Sequence, residues 1–234
     1  MRRPLVKRSI TARLCALMIA SPALLSLPAC TDLVEEPVSS FTPDRFFKTE
    51  AEIVAGLAAV YATLRNTEWG YYNLSQVTAD EHIIPTRGQD WYDNGRWLEL
   101  DKQQWTANSP SALDDINAAW TDAFGGVVRA NTLLQYMVDA PLVDSVRAAY
   151  AAEAKVLRAF YSYQLLDLFG GVPLVTDIEL KTREKATRSA VFNFIVDTLR
   201  VIRTALPKTR PAPQHGRITR GVADAILANM YLNA

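Results

Sequence analysis

Two cysteines and two histidines are scattered through 234 residues. A disulfide framework is therefore excluded, and no ligand spacing joins His82 to His215, so a metal site is not expected. Phosphate loops and nucleophile elbows are also missing. After the first thirty residues no run of 18 apolar side chains occurs, so no later segment reads as a membrane-crossing helix. Acid is wholly absent from residues 1–29, which instead carry Arg2, Arg3, Lys7, Arg8 and Arg13.

That one-sided start has a specific reading. An apolar stretch of 14 residues follows, from Leu14 to Leu27, broken by Ser21, Pro22 and Ser26, and closes on Pro28-Ala29-Cys30. A basic head, a short apolar middle and a small residue before a cut make an export signal, and 14 residues are too few for a spanning helix. A cysteine directly after the cut marks a lipoprotein signal, because its thiolate accepts a diacylglyceryl group. Residues 1–29 are expected to be removed, leaving lipidated Cys30 first, with 31–43 as a tether carrying two prolines. Cys15 leaves with the signal, so lipid on Cys30 uses up the last thiol. Two acyl chains anchor stably, at about 0.8 kcal/mol per buried CH₂. Loss of the five leader bases changes the balance from 25 against 25 to 20 against 25, a net of −5 that argues against a nucleic-acid partner.

The body, 44–234, reads as all-α. Thr49 with Glu52 forms a capping box, and Ile53, Leu57, Val60, Tyr61 and Leu64 share one face. The stretch 66–110 breaks that regularity with Gly70, Pro85, Gly88, Asn94, Gly95 and Pro110. Helical stripes return over 111–136, where Gly125-Gly126 is expected to loosen the centre, and over 143–169, which Gly170-Gly171 stop. A further stripe covers 189–206, and a last one follows Thr219. Helices of this length pair to bury each other's faces, as in helical repeats. The chain stops inside the last pattern, which points to a longer protein.

Several segments together resemble the SusD/RagB family of surface glycan-binding lipoproteins. They are Cys30-Thr31-Asp32-Leu33, Phe41-Thr42-Pro43 with Phe46-Phe47, and Trp120 with Arg129-Ala130-Asn131. The strongest is Glu153-Ala154-Lys155-Val156-Leu157-Arg158-Ala159-Phe160-Tyr161, followed by Leu168-Phe169-Gly170-Gly171-Val172-Pro173 and later Gly216-Arg217-Ile218-Thr219. Phe124 departs from a frequent Tyr. The resemblance implies tetratricopeptide-like helical pairs, a non-enzymatic glycan-binding role and a SusC-like TonB-dependent transporter as partner. It also implies a place on the outer membrane facing the cell surface, no cofactor, and a chain corresponding to the N-terminal half of the family's proteins. Within the Glu153 motif, Leu157, Phe160 and Tyr161 read as core, with Glu153, Lys155 and Arg158 serving buried or interhelical polar groups.

Four of the five tryptophans, Trp69, Trp91, Trp97 and Trp105, fall in the irregular stretch, with Tyr71, Tyr72 and Tyr92. Sugars pack C–H faces on flat rings and need polar partners for their hydroxyls. Trp69, Trp105 and Trp120 read as cover for the helices. Trp91 with Tyr92 reads equally as cover or as a platform on residues alone, and the resemblance tips it to a platform. Arg87, Asp93 and Asn94 beside it, with Gln89 and Asp90, are the candidate hydrogen-bonding groups. Asp80-Glu81 point apart as neighbours and no opposing carboxyl is placed for glycoside hydrolysis. Three readings remain: a glycan-binding lipoprotein of a nutrient importer, a helical-repeat scaffold that binds proteins in the envelope, and a lipid-anchored hydrolase.

Overall fold

The computed structural model describes Thr42 and residues 45–233. Cys30, the leader and most of the tether lie outside the described residues. Among the described residues seven α-helices follow in chain order: α1 Glu50–Ala62, α2 Gly70–Val77, α3 Arg96–Asp101, α4 Asn117–Tyr136, α5 Asp144–Phe169, α6 Arg188–Ile202 and α7 Arg220–Leu232. No strand forms among the described residues, and one isolated antiparallel bridge joins Arg87 to Asp90.

Helix α1 starts where the capping box places it. The Glu52 N–H donates to the Thr49 hydroxyl at 3.3 Å, and the Thr49 N–H donates to the Glu52 carboxylate at 2.8 Å. Two of the orphan donors at a helix start are thereby satisfied. Ile53, Leu57 and Val60, at helical spacing, are buried, and Tyr61 and Leu64 pack against the same core. Helix α5 ends at Gly170, whose φ of 69° suits a residue without Cβ and whose N–H closes on the Leu166 carbonyl at 2.9 Å. Leu157, Tyr161 and Leu165 are buried along its inner stripe. Phe160 is half-buried against that core.

The pair α4–α5 forms the spine, with α6 on α5 and α1 against α4. Gly125-Gly126 do not loosen α4, which runs unbroken across them. A Cβ on Gly126 would stand 2.4 Å from the Tyr161 ring, so this glycine lets the two helices approach. Tyr161 continues to α1, donating its hydroxyl to the Val60 carbonyl at 2.7 Å.

Glu153, fully buried, ties the far end of the chain to this spine. Its carboxylate accepts from the Tyr61 hydroxyl at 2.6 Å, from Arg210 Nη2 at 2.7 Å and from Arg217 Nη2 at 2.5 Å. Tyr61 Oη in turn accepts the Ile218 N–H at 2.8 Å. The connection 207–219 is therefore pinned to α1 and α5 by a charge that has enough partners to stay buried. Burial, and then the bond to Glu153, push the Tyr61 hydroxyl pKa upward. Arg158 donates to Asn131 Oδ1 at 2.8 Å, and Asn131 Nδ2 reaches the carbonyls of Val175 and Asp177.

The stretch 66–110 is more ordered than its punctuation implies. A 3₁₀ segment, Thr63–Glu68, leads into α2, and α3 follows the loop. Both helices are short, and their buried residues belong to a separate small core of Leu74, Val77, Trp97, Leu100 and Ala119. Eight and six residues are too few to display a stripe, so periodicity does not reveal them.

Candidate glycan-binding loop

Between α2 and α4 the chain runs through a loop, α3 and a π-helical turn, Ala112–Ile116. The loop is built from left-handed backbone. Gly88 and Gly95 have φ of 63° and 88°, and Trp91, Asp93 and Asn94 have 57°, 42° and 55°. Asp and Asn tolerate this region, whereas a tryptophan there costs about 1–2 kcal/mol. The surroundings must therefore hold Trp91 in place.

They do so through Trp97. Trp97 is buried, and its ring lies 6.4 Å from that of Trp91, tilted by 59°. Its indole N–H donates to Asp93 Oδ2 at 2.6 Å, so this carboxylate fastens the loop to α3. The Arg96 guanidinium sits 4.6 Å above the Trp97 ring. Arg96 also donates to Asp115 through Nε at 2.5 Å and Nη2 at 2.6 Å, and Asp115, 1 % exposed, accepts a third bond from Asn73 Nδ2 at 2.8 Å. Burial works against the Arg96 charge, but the bond to Asp115 and the nearby Asp114 and Asp93 outweigh it and raise its pKa. Gln103 closes the base of the loop, donating to the Thr78 carbonyl at 2.8 Å.

Outward from this anchor stand Trp91, 53 % exposed, and Tyr92, 45 % exposed. The side chains of Arg87 and Asn94 are exposed, and among the described residues neither has a hydrogen-bond partner. Arg87 is paired through its backbone to Asp90, with N···O distances of 3.0 Å in both directions. Asp93 is also exposed, but its carboxylate serves Trp97.

The other tryptophans divide differently from expectation. Trp120 covers the helices, with Phe124 at 4.7 Å and Phe169 at 5.1 Å between ring centroids. Trp69 and Trp105 do not: they are 66 % and 40 % exposed. Each stands at or beyond a helix end, where no helical register turns a side chain inward. Arg96 and Asp115, which position the loop together with Trp97, are not legible in the sequence. An Asp at the turn before a long helix and an Arg next to Trp carry no spacing signal for a pair 19 residues apart.

Asp80 and Glu81 are both exposed at the end of α2, and His82 Nε2 lies 3.3 Å from the Tyr72 hydroxyl. Among the described residues no group of three His, Cys, Asp or Glu side chains is placed to hold a metal ion.

Comparison with known proteins places this scaffold. A family model described as "Starch-binding associating with outer membrane", SusD-like, matches residues 35–232. The chain belongs to the SusD-like family. It is 29% identical over 220 residues to SusD-like protein P2 of Formosa agariphila, covering 89% of this chain and 41% of that protein. It is 26% identical over 226 residues to a SusD-like protein of Bacteroides ovatus, covering 92% and 38%. This SusD-like chain thus spans about two fifths of the length of the curated relatives it matches. Among solved structures, a laminarin binding SusD-like protein aligns with a TM-score of 0.68 and 29% identity, over 79% of this chain and 40% of the other. Surface glycan-binding protein A from Bacteroides thetaiotaomicron, in complex with laminarihexaose, aligns with a TM-score of 0.65 and 23% identity, over 79% and 39%, and shares the fold. The fold is the helical, tetratricopeptide-like one of SusD-like proteins.

Proposed function

We propose that this SusD-like chain is part of a surface glycan-binding lipoprotein that passes oligosaccharide to a SusC-like TonB-dependent outer-membrane transporter. No catalytic step is assigned to it. The observation that carries the reading is the presentation of Trp91 and Tyr92. Two half-exposed rings stand on a strained loop that a buried ion pair and Trp97 hold rigid. Backbone strain maintained by its surroundings is characteristic of functional sites. A rigid ring face loses little freedom when a sugar packs on it, which favours binding.

In this reading Trp91 and Tyr92 are the stacking platform, and Arg87 and Asn94 supply hydrogen bonds to sugar hydroxyls. Asp93 acts mainly through Trp97, as a positioning residue. Residues 1–29 are the removed leader, 30–43 the lipidated Cys30 and its tether, and 44–234 the N-terminal helical portion of the binding protein. A laminarin binding relative makes laminarin the first ligand to try.

Two measurements test it. A glycan array on the full chain, followed by calorimetry on the strongest glycan, should give binding that Trp91→Ala weakens by about three- to tenfold, the size of one aromatic contact. Unchanged affinity in that variant, or a melting temperature that collapses with it, would remove the platform. Radioactive fatty acid should label the wild type and leave Cys30→Ala unlabelled; equal labelling would remove the anchor.

A further inference from the structure

A second cleft, of about 350 Å³, opens between α2 and α5, and none of its lining residues belongs to the 78–116 segment. Tyr71, Tyr72 and Phe160 supply rings, and Glu68, Gln76 and Gln164 supply polar groups. Gln164 is 4 % exposed, yet its side-chain amide nitrogen has no hydrogen-bond partner. A buried donor left unmade costs free energy and requires an explanation. Neighbouring groups do not answer it: the Tyr71 hydroxyl donates to Asp167 at 2.9 Å, and the Gln76 amide leans on Ser75 at 3.5 Å.

The missing partner must be an acceptor. Glu68, exposed in the lining, requires donors instead. A cation offers Gln164 no acceptor, and an anion meets the charge of Glu68 with Asp167 behind Tyr71. Hydroxyl groups both donate and accept, and a molecule carrying several of them on an apolar ring face also suits the three aromatic rings. The volume lies at the lower end of the roughly 300–1,000 Å³ typical of ligand pockets, which suits one or two sugar units. A peptide also carries donors and acceptors, and the tripeptide arm of the test distinguishes it from a sugar.

We propose that the α2–α5 cleft is a second glycan-binding site, taking a neutral mono- or disaccharide unit with Gln164 donating to a sugar oxygen. It rests on the glycan-binding reading for its ligand class and not on the Trp91 platform. The two sites would let one chain hold two points of a longer glycan, raising its effective affinity.

The test uses the full chain, nitrogen-15 labelled at glutamine, titrated with laminaribiose, cellobiose and maltose. At least one disaccharide should shift the Gln164 side-chain amide resonance, in the wild type and equally in Trp91→Ala. Gln164→Leu should weaken that binding by about tenfold, the loss of one good hydrogen bond. Tyr72→Ala, at a residue 46 % exposed and outside both cores, should weaken it by about three- to tenfold. The proposal is overturned if none of the three sugars shifts the amide, if a tripeptide shifts it where the sugars do not, or if the sugar shift vanishes in Trp91→Ala. It is also overturned if a crystal soaked in the disaccharides shows the amide bonded to a water in the small adjoining cavity of about 10 Å³ while the cleft holds no sugar. Loss of glycan binding in Trp91→Ala with the cleft titration intact would uphold both proposals; unchanged glycan affinity in Trp91→Ala would remove the platform alone, and a cleft titration absent from the wild type would remove the cleft alone.

Discussion

The α4–α7 helices and the 78–116 segment are stabilised in opposite ways. In the helices, Val156, Leu157, Ile195 and Leu199 are buried at helical spacing, and apolar contact does most of the work. In the segment, Trp91, Tyr92 and Trp105 remain exposed, the backbone turns left-handed repeatedly, and order comes from a small core at Trp97 and Leu100 together with a few charged bonds around Asp115. A packed stripe spreads its stability over many residues. An anchored loop concentrates it in a handful, which leaves the remaining rings available to a ligand.

This contrast can be broken most forcefully from the helical side at its single buried charge. Glu153→Ala should cost about 3–5 kcal/mol, because it leaves Arg210 and Arg217 without their carboxylate inside the fold. Urea unfolding of the full chain reads this directly, and a cost below 1 kcal/mol would mean that 207–219 does not depend on the ion pairs. On the loop side, Asp115→Asn should cost about 1.5–3 kcal/mol by weakening the bonds to Arg96 and Asn73. It should also reduce glycan binding, although Asp115 is too deeply buried to touch a ligand. Binding that survives a measured loss of stability would separate the anchor from the platform. Trp91→Ala sharpens the comparison further: its change in stability should be smaller, about 0.5–1.5 kcal/mol, the size of the lost contact with Trp97.

The smallest effect belongs to the connection between α5 and α6. Arg183 holds the Asp177 carboxyl pKa down, from 3.8 to about 2, with help from the Glu179 N–H. A depressed carboxylate contributes stability above its unfolded pKa and loses that contribution as pH falls through the folded one. Protection of the amides in residues 177–183, taken against the intrinsic exchange rate at each pH, should therefore fall between pH 3.8 and pH 2, with the helices α4 and α5 less affected. The pair lies part-covered at the surface, where solvent screening keeps the effect slight. Protection factors that stay constant across that window would deny the ion pair any ordering role.

Long helices were legible because their cause is local. The capping box at Thr49, the stripe ending at Gly170 and the inward residues Ile195 and Leu199 appear where their spacing puts them. Short helices were not, since Gly70–Val77 and Arg96–Asp101 show too few turns for a stripe to emerge from aromatic and polar neighbours. The candidate platform was legible as a composition, a group of rings among Gly and polar residues. Which ring faces outward was not: Trp97 is buried, whereas Trp69, expected as cover, stands 66 % exposed.

By itself, then, the sequence determined the helical class, the main helix limits and the inner face of each long helix, because hydrogen bonds and apolar spacing within one helix involve residues only three or four apart. Tertiary structure decided the rest. Glu153 meets Tyr61 across 92 residues and Arg217 across 64, Tyr161 reaches Val60 across 101, and Arg96 finds Asp115 past an entire helix. No local pattern encodes such meetings. They follow from how closely the helices pack once Gly126 admits the Tyr161 ring, and that packing settles which charges are buried and which rings are left to face solvent.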